Sequence, residues 1–315
     1  MDKILLFWHH SILWQAGMLV FFILIAASLL VGGLSRTSLR VNWDELRQRV
    51  RSWWFMAGFF FLAVTVNPTF TIVFFALLSF LVLKEYITIL DTRRADHRAL
   101  LWAFLSIPIQ YYWVATKWYV MFLIFIPIYM FLFIPLRLVL IEETEGFLAS
   151  VAKIQWGIMI FVFGLSHMAY LSVMPTIPGS LASGQSLLLF LVIVTEMNDV
   201  FQYLWGRTLG RHKILPKVSP NKTSEGFWGG ILTTTILSPL LSFLTPLGVV
   251  ETMFFAFCIA VAGFAGDVVM SAVKRDVHVK DFSTLIPGHG GALDRVDSLC
   301  YTAPIFFHMI AYFYY

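Results

Sequence analysis

The sequence predicts an all-α integral membrane protein, a polytopic bundle of about ten transmembrane helices. Of its 315 residues, 59% are hydrophobic and only 13% are charged, whereas about a quarter of the residues in a soluble domain are charged. The apolar residues also form runs of near 20 residues, which is the length that one helical crossing of a bilayer requires. Most of the Lys and Arg residues lie in short segments between these runs.

The apolar runs give the expected helices in order, and several have recognisable ends. Pro68 separates the second run from the third, because proline and the residue before it favour a turn. The polar stretch 36–51 precedes the second run and is interpreted as an interfacial segment. The expected spans are 11–33, 53–66, 69–90, 99–115, 118–136, 154–174, 187–205, 228–243, 249–273 and 299–314.

Two charged residues, Lys84 and Glu85, fall inside the third expected span. Ionisable residues inside a membrane span are candidates for a functional role. The alternative is that they extend toward the water-exposed end of the span, near Arg93 and Arg94. The sequence leaves both interpretations open.

The distribution of basic residues predicts the orientation of the chain. The segments 34–52, 91–98, 137–153, 206–226 and 274–297 contain 19 of the 22 Lys and Arg residues. Cytoplasmic loops are enriched in these residues, so we expect all five segments on the cytoplasmic side. Orientation and contact with anionic lipid explain the net charge of +4 without a nucleic-acid partner. The two cysteines, Cys258 and Cys300, have no metal-ligand spacing and imply no disulfide framework.

The most informative stretch is residues 271–297, SAVKRDVHVKDFSTLIPGHGGALDRVD, between the last two expected spans. It combines several cations with carboxylates of the kind that bind Mg²⁺. Its glycines, Gly288, Gly290 and Gly291, allow the backbone to approach a ligand and can direct N–H groups at phosphate oxygens. This composition indicates a site for phosphate and metal.

A second charged stretch, residues 198–230, is expected on the same side of the membrane. Ser219, Lys222 and Thr223 belong to a compact turn before the next helix, and anions bind well at a helix N-terminus. Thr223 followed by Glu225 is also ordinary helix-capping chemistry. The residues alone leave both readings open.

Both stretches resemble the phosphatidate cytidylyltransferases, also called CDP-diacylglycerol synthases. The first carries Ser271, Lys274-Arg275, Lys280-Asp281, Pro287 to Gly291, Asp294-Arg295 and Asp297. The second carries Asp199, Tyr203, Gly206-Arg207, Gly210, Pro216, Ser219-Pro220, Lys222-Thr223, Glu225-Gly226 and Gly229-Gly230. Departures from the family pattern are Gln202, where a small residue is usual, Asn221, where Lys is usual, and Ala292, where a larger aliphatic residue is usual. The resemblance covers residues 196–300, about a third of the chain.

The resemblance implies that a phosphate oxygen of phosphatidic acid attacks the α-phosphorus of CTP, giving pyrophosphate and CDP-diacylglycerol. Such chemistry needs positioning and charge neutralisation more than a protein nucleophile. The residues expected to act in catalysis are Lys222, Arg275, Lys280, Asp294 and Arg295. Those expected to contact the nucleotide are Ser219, Lys222, Thr223, Ser271, Gly288, His289, Gly290 and Gly291.

Mg²⁺ is the expected cofactor, and a second metal ion is left open. Asp294 and Asp297 are three residues apart and share one face if the chain is helical there. Asp267 lies at the cytoplasmic end of the preceding span. Asp267, Asp294 and Asp297 are therefore the expected ligands.

The same interpretation divides the chain into N-terminal helices, residues 1–195, and C-terminal helices, residues 196–315, which carry two cytoplasmic catalytic loops, 206–226 and 274–297. The expected partners are CTP, phosphatidic acid and membrane lipids, with no nucleic acid; a homodimer is left open. The expected location is the bacterial inner (plasma) membrane, with the active site facing the cytoplasm.

Two other functions compete with this one. A CTP-dependent kinase acting on a polyprenol or similar lipid alcohol needs the same nucleotide, Mg²⁺ and apolar acceptor. A membrane transporter is the third possibility, but transporter sites lie near the bilayer midplane on broken helices. Here the charge is concentrated in two loops on one side, which argues against a transporter.

Overall fold

A computed structural model describes residues 2–34, 43–177, 180, 182–286, 288 and 290–315. Within them, ten long helices account for most of the chain. These helices are α1 Asp2–Leu34, α2 Trp43–Thr65, α3 Pro68–Ile89, α4 His97–Ala115, α5 Tyr119–Val139, α6 Phe147–Val173, α7 Gly184–Thr208, α8 Ser224–Leu237, α9 Val249–Asp276 and α11 Leu299–Tyr314. A single helical turn, α10, spans Leu293–Val296, and two short strands, β1 Lys213–Leu215 and β2 Ser219–Thr223, lie between α7 and α8.

The described helices confirm an all-α membrane protein. Seven helical segments are long and apolar enough to cross a bilayer, namely Ile12–Gly33, Pro68–Ile89, Tyr119–Val139, Phe147–Val173, Gly184–Thr208, Ser224–Leu244 and Val249–Asp276. The sixth of these continues α8 through a 3₁₀ segment, Ser238–Leu244. Helices α2, α4 and α11 are shorter in their apolar part or less apolar, and they pack within the same bundle.

In the N-terminal half of the chain, the start of α3 is determined by the local sequence. Helix α3 begins at Pro68, and the Asn67 side chain caps it by accepting a hydrogen bond of 2.7 Å from the Phe70 N–H. Proline suits the first helical turn because its missing N–H has no partner there. The interfacial segment expected at 36–51 is described only from Trp43, where it forms the first turns of α2; residues 36–42 lie outside the described residues.

Two of the spanning helices contain a wider π-type turn. In α5 this turn covers Phe125–Met130 and includes Pro127, which cannot donate the backbone hydrogen bond of a regular helix. In α6 it covers Ile158–Gly164. Aromatic rings from both helices then pack in the buried core, where Phe122, Phe163 and Phe307 of α11 surround His167.

Glycines bring α7 and α8 into close contact. A Cβ atom on Gly230 would come within 2.9 Å of the Gln202 backbone nitrogen, and one on Gly226 within 2.8 Å of the Gln202 carbonyl oxygen. A larger residue at either position would push the helices apart. This contact holds the hairpin β1–β2 against the end of α7.

A second close approach joins α9 to the start of α11. A Cβ atom on Gly266 would lie 2.7 Å from the carbonyl oxygen of Asp297. The neighbouring Asp267 is consequently held beside Asp297. The C-terminal ends of α7 and α9 and the N-terminal end of α11 therefore meet at one end of the bundle.

Candidate active site

The charged stretch after α7 folds as a small antiparallel hairpin. Lys213 pairs with Thr223, and Leu215 pairs with Ser219. The Thr223 hydroxyl accepts a hydrogen bond of 3.1 Å from the Gly226 N–H and caps α8. This hydroxyl therefore already serves as the helix cap, and Thr223 is buried. Its predicted contact with the nucleotide stays a prediction.

Glu225, in the first turn of α8, fixes the chain just before β1, at the same open end of the hairpin. Its carboxylate accepts hydrogen bonds from the backbone N–H groups of Arg211 and His212, at 3.0 and 3.2 Å. The His212 ring nitrogen Nδ1 lies 2.6 Å from the same carboxylate. The open end of the hairpin is thus tied to α8 through both strands, which gives β2 a defined position.

Lys222 extends from β2 to α9. Its ammonium nitrogen lies 2.5 Å from Asp267 Oδ2, 3.2 Å from the Gln202 amide oxygen and 5.4 Å from the centre of the Phe264 ring. The Ser271 hydroxyl, one turn farther along α9, donates to the other Asp267 oxygen at 3.3 Å. A predicted phosphate-binding cation and a predicted metal ligand are therefore in direct contact.

Arg275 makes a second link between the two charged stretches. Its Nε donates a hydrogen bond of 3.2 Å to the carbonyl oxygen of Val218, in the turn of the hairpin. Ser219 follows directly and is partly buried. The two charged stretches are thus in direct contact, as expected for parts of one site.

Asp294 organises the loop between α9 and α10, residues 277–292, which we call the signature loop. Its Oδ2 accepts hydrogen bonds of 2.9 Å from the N–H groups of Phe282 and Gly291. Its Oδ1 lies 2.6 Å from the Lys274 ammonium nitrogen. The Asp294 side chain is nearly fully buried, so this carboxylate folds the loop and pairs with α9.

Backbone geometry in the signature loop requires glycine at two positions. Gly288 and Gly290 have φ angles of 76° and 79°, which lie in the left-handed region that favours glycine. The Ile286 N–H donates to the Gly290 carbonyl at 2.8 Å and closes the loop. Pro287 and His289 lie outside the described residues, so the predicted role of His289 stays a prediction.

Glu85 of α3 reaches the same loop from the N-terminal half of the chain. Its carboxylate accepts hydrogen bonds from the Ser283 hydroxyl at 2.7 Å, the Ala292 N–H at 3.0 Å and the Leu293 N–H at 2.8 Å. Glu85 is buried. The neighbouring Lys84 is exposed.

Three carboxylates, those of Asp199, Asp267 and Asp297, lie close enough to interact electrostatically with one another. Asp199 accepts a hydrogen bond of 3.1 Å from the Ser298 hydroxyl, and Asp297 accepts one of 2.8 Å from the Ser298 N–H. Desolvation raises the pKa of the Asp297 carboxyl, and the nearby Asp267 raises it further. Close, desolvated carboxylates of this kind repel one another, and a cation would relieve that repulsion.

These residues fit a divalent cation whose remaining ligands come from the substrate. Asp199 Oδ1 is buried and has no hydrogen-bond partner among the described residues. No group of three His, Cys, Asp or Glu side chains in the described ranges is arranged to hold a metal by itself. Mg²⁺, however, commonly uses one or two carboxylates together with substrate phosphates and water. Asp297 suits that role. Both oxygens of Asp267 are engaged by Lys222 and Ser271, and both oxygens of Asp294 by Lys274 and the loop amides, so a metal bound by either residue would replace one of these partners.

The remaining predicted cations are exposed residues of the stretch 271–297. Lys280 is exposed and has no ion-pair partner in the part of the chain that the structure describes. Arg295 is also exposed and interacts electrostatically with Glu196 of α7. Exposed cations at the edge of a polar site are available to an anionic ligand.

Several residues of this site were not among those predicted to form it. Gln202 holds Lys222. Lys274 is one of the cations expected for an anionic ligand, and it pairs with Asp294. Asp199 belongs to the sequence pattern of the second stretch without a predicted role of its own. Glu85 gave a signal, a carboxylate inside an apolar run, but its partners follow in sequence 198 to 208 residues later. Such distant contacts have no local sequence pattern.

Comparison with known proteins places these residues in context. The Cytidylyltransferase family profile matches residues 47–313. The uncharacterized protein YnbB of Escherichia coli (strain K12) is 44% identical over 269 residues, which are 85% of this chain and 88% of that protein.

Two proteins named phosphatidate cytidylyltransferase match a smaller part of the chain. The one from Bacillus subtilis (strain 168) is 36% identical over 132 residues, 41% of this chain and 49% of that protein. The one from Aquifex aeolicus (strain VF5) is 38% identical over 120 residues, 38% of this chain and 45% of that protein. These two matches cover about half of those proteins, but the family profile extends over most of the chain. The chain therefore belongs to the cytidylyltransferase family.

Proposed function

We propose that this membrane protein transfers the cytidylyl group of CTP to phosphatidic acid, giving CDP-diacylglycerol and pyrophosphate for phospholipid biosynthesis. The observation that carries the proposal is the junction of the two charged stretches, where Lys222 meets Asp267 at 2.5 Å and Arg275 binds the Val218 carbonyl. This junction gathers cations and carboxylates at the ends of membrane-spanning helices. The similarity to two phosphatidate cytidylyltransferases supports the lipid substrate.

The reaction requires no covalent attachment to the protein. A phosphate oxygen of the lipid forms a bond to the α-phosphorus of CTP, while the bond from that phosphorus to the bridging oxygen breaks and its electron pair leaves with pyrophosphate. Positioning and neutralisation of charge are the main demands of such a step. The cations on the two loops serve these demands.

Lys222 changes partner when substrate binds. In the structure its charge is matched by Asp267 and its position is held by Gln202. A CTP phosphate beside Lys222 would replace the Asp267 oxygen as its partner. Arg275, Lys280 and Arg295 would bind the remaining phosphate oxygens, and Ser219 and Ser271 would donate hydroxyl hydrogen bonds.

Asp267 and Asp297 would hold Mg²⁺, with Asp199 next to them. When bound, Mg²⁺ supplies positive charge that stabilises the phosphate oxygens and the leaving pyrophosphate. The release of Asp267 from Lys222 frees a carboxylate oxygen for this purpose. Nucleotide binding and metal binding are thereby coupled through one ion pair.

The proposed location is the bacterial inner membrane, with the site on the cytoplasmic face. The concentration of 19 of 22 Lys and Arg residues in five segments supports this orientation. CTP is made in the cytoplasm and is too polar to cross a bilayer, whereas phosphatidic acid resides in the membrane. A site at the cytoplasmic ends of spanning helices gives both substrates access.

The test is to supply the purified protein with CTP, Mg²⁺ and either phosphatidic acid or a polyprenol, and to identify the lipid product by mass spectrometry. The proposal requires CDP-diacylglycerol from phosphatidic acid together with pyrophosphate. Phosphorylated polyprenol together with CDP would instead identify a CTP-dependent lipid kinase. A Lys222→Ala variant controls for contaminating activity.

A further inference from the structure

The Glu85 carboxylate is the only described acidic side chain of the spanning part of α3, and its hydrogen bonds all lead to the other half of the chain. Three donors converge on it, the Ser283 hydroxyl and the N–H groups of Ala292 and Leu293. A Cβ atom on Gly291 would overlap Glu85 Oε2. The signature loop is therefore packed directly onto this carboxylate.

Burial of the Glu85 carboxylate has an energetic cost that its hydrogen bonds must offset. Placing a carboxylate in a membrane helix is unfavourable unless hydrogen bonds or charges satisfy it. At this position Glu85 is satisfied by the signature loop, and the loop amides are satisfied by Glu85. Each needs the other, so the contact fixes the loop relative to α3.

Two carboxylates divide the loop amides between them. Asp294 accepts the Gly291 N–H, and Glu85 accepts the next two, from Ala292 and Leu293. Of the glycines predicted to cradle phosphate, Gly291 thus has its N–H bound by Asp294, and the predicted contacts of Gly288 and Gly290 stay predictions. The side chains of Lys280, in the loop, and Arg295, in α10, are further candidates for phosphate binding.

We propose that Glu85 is a positioning residue, which holds the signature loop so that Lys280 and Arg295 face the nucleotide phosphates. This inference rests on the proposed function of the site and extends it to a residue of the N-terminal half. Lys280 lies three residues before Ser283, whose hydroxyl is held by Glu85. Arg295 lies two residues after Leu293, whose N–H is held by Glu85. Both cations are next to these anchored residues.

The first experiment measures the loop without any substrate. Hydrogen–deuterium exchange of peptides covering residues 282–286 and 290–296 is compared between the wild-type protein and Glu85→Gln. Glutamine keeps the shape of the side chain but replaces one acceptor oxygen with a donor, which cannot accept the amide hydrogen bonds. We expect faster exchange in these peptides. Ser79→Ala is the matched control, because it removes another buried hydrogen bond of α3, that to Tyr111 at 2.8 Å.

The second experiment measures turnover of CTP and phosphatidic acid per folded molecule. We expect Glu85→Gln to lower kcat/KM roughly 10- to 100-fold, the scale of a misplaced catalytic group. Glu85→Asp, which keeps the charge on a shorter side chain, should fall between wild type and Glu85→Gln. Ser79→Ala should lower thermal stability without lowering kcat/KM.

A double-mutant cycle separates positioning from a general structural role. If Glu85 acts through Lys280, the Lys280→Ala substitution costs less in the Glu85→Gln background than in the wild type. Independent, additive losses would overturn the proposal, as would unchanged exchange in the loop peptides or wild-type kcat/KM in Glu85→Gln. A wild-type protein inactive toward phosphatidic acid would overturn the proposed function alone, because the exchange experiment requires no substrate.

Discussion

The ammonium nitrogen of Lys222 lies 2.5 Å from Asp267 Oδ2, and this ion pair connects the hairpin after α7 to the end of α9. Both side chains are largely buried, with exposed fractions of 20% and 25%. A pair in such surroundings interacts more strongly than one in open water. In the proposed function, a CTP phosphate would replace the Asp267 carboxylate as the partner of Lys222. A divalent cation would replace the Lys222 ammonium group as the partner of Asp267.

Replacing Lys222 tests the phosphate-binding half of this pair. We expect Lys222→Ala to lower kcat/KM roughly a hundredfold or more, the usual effect of removing a positioned donor from a transition state. The measurement is steady-state turnover with varied CTP. Lys217→Ala is the matched control, because Lys217 is an exposed lysine of the same hairpin turn. Equal activity of both variants would mean that Lys222 serves only to pair with Asp267.

Replacing Asp267 or Asp297 tests the metal-binding half. Asn is nearly isosteric with Asp but binds Mg²⁺ far less well, since the metal prefers charged oxygen ligands. We expect Asp267→Asn and Asp297→Asn to need more Mg²⁺ for half-maximal activity and to turn over more slowly. Asp276→Asn, at the exposed end of α9, is the control. A wild-type dependence on Mg²⁺ in both site variants would refute the metal assignment.

Asp294→Asn is expected to destabilise the protein. The change leaves Lys274 without its partner and presents an amide group to the Phe282 and Gly291 N–H groups. Removing one partner of a buried ion pair costs about 3 to 5 kcal/mol. The measurement is resistance to unfolding in detergent. Asp281→Asn, an exposed neighbour on the same loop, should unfold like the wild type, and a stable Asp294→Asn variant would contradict the structural role.

The orientation is tested by labelling single cysteines in a background in which Cys258 and Cys300 are replaced by Ala. Asn221→Cys and Thr284→Cys, both exposed and in the two charged stretches, should react with a membrane-impermeant reagent only from the cytoplasm. Thr176→Cys, exposed after α6, should react only from outside. Labelling of Asn221→Cys and Thr284→Cys from opposite sides would contradict a shared site.

The sequence predicted the class of fold because hydrophobic length is a local property. The Asn67-Pro68 break was predicted correctly, and the structure shows Asn67 capping the helix that starts at Pro68. The capping interpretation of Thr223 is confirmed in the same way. In each case the relevant contacts are made within three or four residues, where sequence patterns are informative.

Features that depend on tertiary contact were not predictable to the same degree. The strands Lys213–Leu215 and Ser219–Thr223 are only three and five residues long, and the second is polar, so no hydrophobic alternation marked them. Asp294 has the spacing of a metal ligand, and that role stays a prediction; its contacts with Lys274 and with distant loop amides have no local sequence pattern. The anchoring of the loop by Glu85 joins residues about 200 positions apart.

The central claim is that the site transfers the cytidylyl group and not the terminal phosphate. The most direct measurement supplies the protein and phosphatidic acid in vesicles with CTP labelled either at the α-phosphate or at the γ-phosphate, and follows the label in the extracted lipid. The account predicts that α-label enters the lipid, that γ-label is released as pyrophosphate, and that Lys222→Ala loses both signals together. Label from the γ-phosphate in the lipid would contradict it.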